Sequence, residues 1–255
     1  MTVLDAFRLD GRVALVTGGN RGLGAACAVA LAEAGAEVAL LGRTEPADTR
    51  KRIEALGRRV TYLPCDLGTA APEEFTAAVG AVRADLGRLD ILVNNAGIIR
   101  RAPAAEVTPA DWHDVLTVNL DAVFHLSQAA GRAMIAQGSG KIINVASMLS
   151  FQGGIRVPAY TAGKHAVVGL TRALANEWAG LGVNVNAIAP GYLITDNTAA
   201  LREDPARAAA ILERIPAGRW GTPEDLGGAV VFLASEAARY VHAAVLPVDG
   251  GWLAR

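Results

Sequence analysis

The chain predicts an α/β fold, a parallel sheet with helices on both faces, and two observations carry that expectation. Short β-branched or Leu-rich runs alternate with helical stretches along its 255 residues. The composition is 52% hydrophobic but only 5% aromatic, the Ala, Val and Leu balance of strands buried on both sides. The strand-like runs begin at Arg12 (RVALVTG), Glu37 (EVALL), Arg59 (RVTYLPCD), Leu89 (LDILVNN), Lys141 (KIINVAS), Val183 (VNVNAIAP) and Ala244 (AVLPVDGG). About seven strands joined by helices need right-handed crossovers, which gives a doubly wound sheet. No linker divides the chain, so residues 1–255 read as a single domain. The least regular stretch, Gly191 to Pro223, reads as a helix between two turn-rich segments, an insertion of lid-like, substrate-covering type.

The same sequence argues against several functions. Lys and Arg total 24 against 25 Asp and Glu, which offers no electrostatic footprint for nucleic acid or an anionic membrane. The apolar runs are too short to span a bilayer, and Met1 to Gly11 lacks a signal-peptide core, so a cytoplasmic location is expected. Cys27 and Cys65 stand far apart and read as reduced thiols. His113, His125, His165 and His242 are scattered without ligand spacing, and no metal is expected. Trp112 and Trp178 sit in amphipathic patterns and are expected in the core, while Arg202, Glu203 and Asp204 read as a solvated helix start.

Directly after the first strand comes TGGNRGLG, in which Gly18, Gly22 and Gly24 are spaced for a tight turn into an apolar helix. In that position the backbone can approach a pyrophosphate, which then rests on the helix N-terminus. The chain therefore reads as a Rossmann-type dinucleotide fold, with Asn20, Arg21 and Leu23 completing the turn. Asp66 could hydrogen-bond an adenine amino group or cap a short turn. At the end of the second strand, where an acid would hold a ribose 2′-hydroxyl, stands Gly42, followed by Arg43. Arg21 and Arg43 could meet a 2′-phosphate or remain solvated.

Tyr160 and Lys164, in AYTAGKHAV, lie four residues apart and share one face if the stretch is helical. A free phenol titrates near pH ~10, and a neighbouring ammonium favours its ionised form. The glycine turn, NNAG at Asn94 to Gly97, Asn119 in VNLDAVF, Ser147 in INVASM, the Tyr160 and Lys164 pair, and PGYLIT from Pro190 occur in an order that resembles the short-chain dehydrogenase/reductase family over essentially the whole chain. The resemblance implies NAD(P)(H) as cofactor, Tyr160 as acid/base, Ser147 as holder of the reacting oxygen, and Lys164 with Asn119 completing the relay. It also implies cofactor contacts at Leu67, Asn95, Ala96, Gly97, Pro190, Gly191 and Thr195, beside the glycine turn, Arg43, Asp66, Tyr160 and Lys164. A homotetramer is implied too, and the apolar C-terminal VDGGWLAR makes a buried segment plausible. Gly163 departs from the Ser common there, and Ala243 with Ala244 from a Thr or Asn followed by Gly, which puts the turn before the last strand in question.

Around the expected pocket, NNAGIIRR, ASMLSFQGGIRVPAYTA, RIPAGRWG and the C-terminal VDGGWLAR look like the family's 2-deoxy-D-gluconate 3-dehydrogenases, also called 2-dehydro-3-deoxy-D-gluconate 5-dehydrogenases. That closer resemblance implies a sugar acid substrate, for whose carboxylate an arginine provides paired donors. Arg100, Arg101, Arg156 and Arg219 are candidates, with Met148, Gln152 and Asn197 toward the rest of the molecule. Two alternatives stand beside this one: another reductase of the family, acting on a 3-oxoacyl carrier or a different sugar or polyol, and a dinucleotide-sensing module without turnover. The closer resemblance implies NAD, whereas Gly42 and Arg43 lean toward NADP.

Overall fold

The computed structural model describes residues 2–255. A seven-stranded, all-parallel sheet runs in the order β3-β2-β1-β4-β5-β6-β7. The strands are β1 (Val13–Thr17), β2 (Glu37–Gly42), β3 (Val60–Pro64), β4 (Ile91–Asn94), β5 (Gly140–Val145), β6 (Val183–Pro190) and β7 (Val245–Val248). Each overlaps one of the runs read from the sequence, with β2 and β5 extending one residue beyond theirs, to Gly42 and Gly140.

Side-chain alternation in the central strands explains why both faces must be covered. Ala14 and Val16 of β1, Val38 and Leu40 of β2, and Ile91 and Val93 of β4 enter one buried cluster. Helices α1 (Gly22–Glu33) and α9 (Gly227–Ala234) close it with Cys27, Leu31, Val230 and Leu233. The intervening residues Val13, Leu15, Ala39, Leu41 and Leu92 enter a second cluster. It is closed by α3 (Pro72–Leu86), α5 (Ala122–Gln137) and α6 (Pro158–Trp178), through Phe75, Val82, Leu126, Met134 and Leu174. Period two along the strands thus supplies two cores from one sheet.

Local signals set the helix ends. Pro72 opens α3, the Glu74 carboxylate accepts from the Ala71 N–H at 2.8 Å, and Gly87 ends the helix at φ 93°. Thr108 caps α4 (Pro109–Leu116) by accepting from the Asp111 N–H at 3.1 Å. A short helix α2 (Ala47–Ala55) follows β2. β1 has β2 on one side and β4 on the other, so the chain reverses its winding there and opens a crevice at the strands' C-terminal ends.

Three expectations need correction. The stretch from Gly191 to Pro223 holds two helices, α7 (Ala199–Arg202) and α8 (Pro205–Arg214), because Asp204 caps a fresh start by accepting from the Arg207 N–H at 3.1 Å. Trp178 packs in the second core, but Trp112 is 36% exposed. The C-terminal Trp252 is 4% exposed within this chain, packed with Met148, Ile211 and Ile215 beneath the Arg214 guanidinium at 4.1 Å. It therefore needs no partner subunit to bury it.

The questioned turn before β7 forms despite its sequence. Ala243 adopts φ 58°, a left-handed conformation that glycine reaches without strain. Its N–H donates to the Val185 carbonyl at 2.9 Å, and the Ala244 N–H donates to Asn186 Oδ1 at 2.9 Å. Two hydrogen bonds hold the strained turn in register with β6.

Candidate active site

A cleft of about 680 Å³ lies over the C-terminal ends of the strands. Glycines shape its floor. Gly18 sits at φ 65°, and a Cβ on Gly24 would stand 2.2 Å from the Gly18 carbonyl oxygen, so no side chain fits there. Asn95 Nδ2 donates to the Thr17 carbonyl at 2.9 Å, tying the turn to β4. No side chain caps the first turn of α1, which leaves its N–H groups directed at the cleft for an anion. The residues present therefore fit a dinucleotide.

Every residue expected at the cofactor lines this one cleft: Gly18, Asn20, Arg21, Gly22, Leu23 and Gly24 on the floor, Arg43, Asp66 and Leu67 beyond β2 and β3, Asn95 to Gly97 after β4, and Pro190, Gly191 and Thr195 after β6. Gly42 lines it as well. Asp66 serves its turn by accepting from the Gly68 N–H at 3.0 Å, while its other oxygen lies 3.9 Å from Arg43. Arg43 is otherwise solvated, at 69% side-chain exposure. Arg21 is not free: its guanidinium meets Asp196 at 2.8 Å.

At the far end of the cleft α6 delivers the phenol and the amine. Pro158 starts the helix, Tyr160 falls in its first turn, and Lys164 follows one turn later. The Lys164 Nζ lies 5.6 Å from the Tyr160 ring centre and donates to the Val145 carbonyl at 2.6 Å. Ser147 follows β5 and accepts from the Leu149 N–H at 3.1 Å. Tyr160 opens on the cleft and is half-buried by surface, yet lies deep enough for burial to push its phenol up. A hydrogen bond from Ser147 and the charge of Arg101 act in the opposite direction. Burial brings Lys164 down to about 8. The charge of Arg101 thus acts on the phenol in the sense that the sequence reading assigned to Lys164 alone.

Asn119 departs from the expected contact. It lies in a π turn, Thr117–Asp121, between α4 and α5, fully buried. Its side-chain amide donates to the Ile98 carbonyl and accepts from the Ile98 N–H, each at 2.9 Å. The side chain thus holds the irregular segment after β4 and does not itself line the cleft. Gly163 faces this turn, and a Cβ there would meet Asn119 Cβ at an ordinary 3.6 Å, so the departure from Ser is tolerated in either direction.

Of the substrate candidates, Arg100 and Asn197 line the cleft, whereas Met148, Gln152 and Arg156 do not. Met148 packs in the C-terminal cluster, Gln152 accepts from Arg214 at 3.4 Å, and Arg156 takes φ 65° on an exposed turn. Arg219 is spent on Asp225 through paired contacts of 2.7 and 2.8 Å. Asp196 and Asp114 are acidic lining residues that the sequence reading passed over. The one sequence signal for Asp196 was its place directly after Thr195.

A family model described as enoyl-(acyl carrier protein) reductase matches residues 18–253. The 2-dehydro-3-deoxy-D-gluconate 5-dehydrogenase of Escherichia coli (strain K12) is 54% identical over 99% of this chain and 100% of its own. The chain belongs to the short-chain dehydrogenase/reductase family. Membership makes it a nicotinamide-dependent oxidoreductase acting on CH–OH groups. A protein from Agrobacterium tumefaciens solved with bound NADP is 57% identical, with a TM-score of 0.91 over 98% of this chain and 99% of that one. A gluconate 5-dehydrogenase from Burkholderia cenocepacia, solved with NADP and tartrate, is 43% identical, with a TM-score of 0.95 over the whole of both chains. Among the described residues no helix is long and apolar enough to cross a membrane.

Proposed function

We propose that the protein transfers a hydride between NAD(P) and a deoxy sugar acid of the 2-deoxy-D-gluconate or 2-dehydro-3-deoxy-D-gluconate type. The observation that carries this reading is the placement of Tyr160, Lys164 and Ser147 together on the lining of a glycine-floored cleft, with Arg100 on the same lining and Arg101 in the pocket that adjoins it. The relatives' sugar acid activity and the tartrate in one of their structures support the substrate class.

In this reading the Tyr160 hydroxyl exchanges a proton with the reacting oxygen of the substrate, and Ser147 holds that oxygen by a hydrogen bond. Nicotinamide, when bound, supplies the hydride chemistry. Lys164, one helical turn from the phenol, holds a proton near its release point and would hold the cofactor's hydroxyls through its remaining donors, while Asn119 fixes the backbone that borders the pocket. Arg101 stabilises charge at the phenol and, with Arg100, attracts the carboxylate. The segment from Gly191 to Pro223 acts as the lid over both ligands within the single domain, its ends joined by the bridge between Leu193 and Gly221. The enzyme is cytoplasmic and assembles as a homotetramer. Exposed Trp112 and Phe124, on α4 and α5, fit a subunit contact.

The bare Gly42 and the exposed Arg43 support a modest preference for NADP, carried mainly by Arg43. An acid at Gly42 would repel a 2′-phosphate, and none is present. A panel of deoxy sugar acids, 3-oxoacyl thioesters and polyols, assayed with both cofactors by nicotinamide absorbance, tests the substrate. Turnover with the sugar acids supports the reading. Activity confined to thioesters or polyols, or nucleotide binding without turnover, contradicts it.

A further inference from the structure

The lid carries a short turn, Asp196–Thr198, that is a firm piece on an exposed excursion. The Thr198 hydroxyl donates to the Leu193 carbonyl at 2.6 Å, and Arg202 donates to the Thr195 carbonyl at 3.2 Å. Below it the stem is paired: the Ile194 N–H reaches the Gly221 carbonyl at 2.8 Å, and the Gly221 N–H the Tyr192 carbonyl at 3.0 Å. The turn is attached to the rest of the cleft by arginines on two sides. Arg21, in the glycine turn, meets Asp196 at 2.8 Å. Arg101, beside Tyr160, donates to the Asn197 carbonyl at 2.8 Å. The Thr195 side chain also reaches toward the glycine turn, since a Cβ on Gly22 would stand 3.9 Å from Thr195 Cγ2.

We propose that Arg21 and Asp196 form a positioning pair that clips the lid turn over the bound dinucleotide, so that Arg21 serves closure with either cofactor and discrimination is left to Arg43. The inference rests on the reading of the cleft as an NAD(P) site. Its chemistry follows from where the charges lie. Asp196 faces the floor on which a pyrophosphate would rest, and an unpaired carboxylate there would repel it. Arg21 neutralises that carboxylate and at the same time tethers the turn. With the turn down, the Asn197 carbonyl keeps Arg101 beside the phenol, so closing at the cofactor end also sets the catalytic end. Both members of the pair are exposed, at 75% and 71% of their side chains. Exposed pairs are weak, and an effect of about two- to fivefold on cofactor affinity is the expected scale.

Fluorescence titration with NADPH and with NADH needs no substrate and reads the pair directly. Arg21→Ala, Asp196→Ala and the double variant are compared with wild type, together with the reversed pair R21D/D196R and with Arg43→Ala. Arg21→Ala is expected to weaken both nucleotides by the same factor, and its loss is expected to exceed that of the double variant, which no longer leaves a carboxylate unpaired. The reversed pair is expected to bind better than an R21D single variant measured beside it, while Arg43→Ala weakens NADPH selectively. A selective loss of NADPH in Arg21→Ala would make Arg21 a 2′-phosphate ligand and overturn the proposal. Additive losses in the double variant, or no recovery in the reversed pair, overturn it too. A wild type that binds neither nucleotide removes the underlying reading, a result distinct from either of these.

Discussion

At the N-terminal edge of the sheet, Asp90 is 3% exposed and fully engaged. Its carboxylate accepts from Arg88 at 2.6 and 2.7 Å, from Arg12 at 3.1 Å, from the Val13 N–H at 2.9 Å and from Gln137 at 3.3 Å. At the C-terminal edge Lys164 is 4% exposed, and the acceptor found for its amine is the Val145 carbonyl. One edge buries a charge with every lone pair answered. The other buries a charge with few partners and lets its titration point fall to about 8. In the proposed mechanism the difference separates a group that holds the fold from one that the fold holds ready for proton transfer.

Breaking the first edge gives the larger change in stability. Asp90→Ala leaves two arginines and a strand N–H without their acceptor, and is expected to destabilise the chain by about 3 kcal/mol. A denaturant melt measures this, and activity per folded molecule should stay close to wild type. The second edge should answer with the opposite sign. Lys164→Met removes a buried amine that burial disfavours, and is expected to stabilise the chain by about 1 to 3 kcal/mol at neutral pH while turnover is lost.

The pH dependence sharpens this contrast. The folded chain holds the Lys164 proton less tightly than the unfolded chain, from 10.5 down to about 8. Unfolding therefore takes up a proton between those values, and Lys164 makes stability rise with pH across that window. Cys27, pushed up to about 12 by burial, opposes this above its ordinary value of 9.0. The clean reading is the wild type minus Lys164→Met difference, which should shrink from pH 8 to 10.

The smallest effect concerns the turn before β7. Ala243→Gly relieves the left-handed strain but loosens the unfolded chain, and is expected to stabilise by under about 1 kcal/mol. A rise in Tm of a few degrees checks it.

The sheet was legible because each strand is a short apolar run and the crossovers between parallel strands leave room for little else. The cleft was legible for the same reason the glycines are there: a Cβ at Gly24 cannot fit, and the motif records that steric fact. Pairing across the cleft was not legible. Nothing in the spacing of Arg21 and Asp196 links residues so far apart, and Arg219 looks as available as Arg101 until Asp225 is seen against it. Asn119 was placed correctly in the chain, but the π turn that sends its amide to Ile98 leaves no periodic signature. Ala243 shows the converse case, a local conflict that two hydrogen bonds override.

The account turns on Tyr160 as the group that exchanges the proton. Tyr160→Phe removes one hydroxyl from a half-buried ring. NADPH binding by fluorescence and single-turnover reduction of NADP+ by 2-dehydro-3-deoxy-D-gluconate, measured on the same preparation, test the claim most directly. The account predicts nucleotide affinity within about twofold of wild type and a rate lower by about a hundredfold to ten-thousandfold. A near wild-type rate, with nucleotide binding intact, would contradict it.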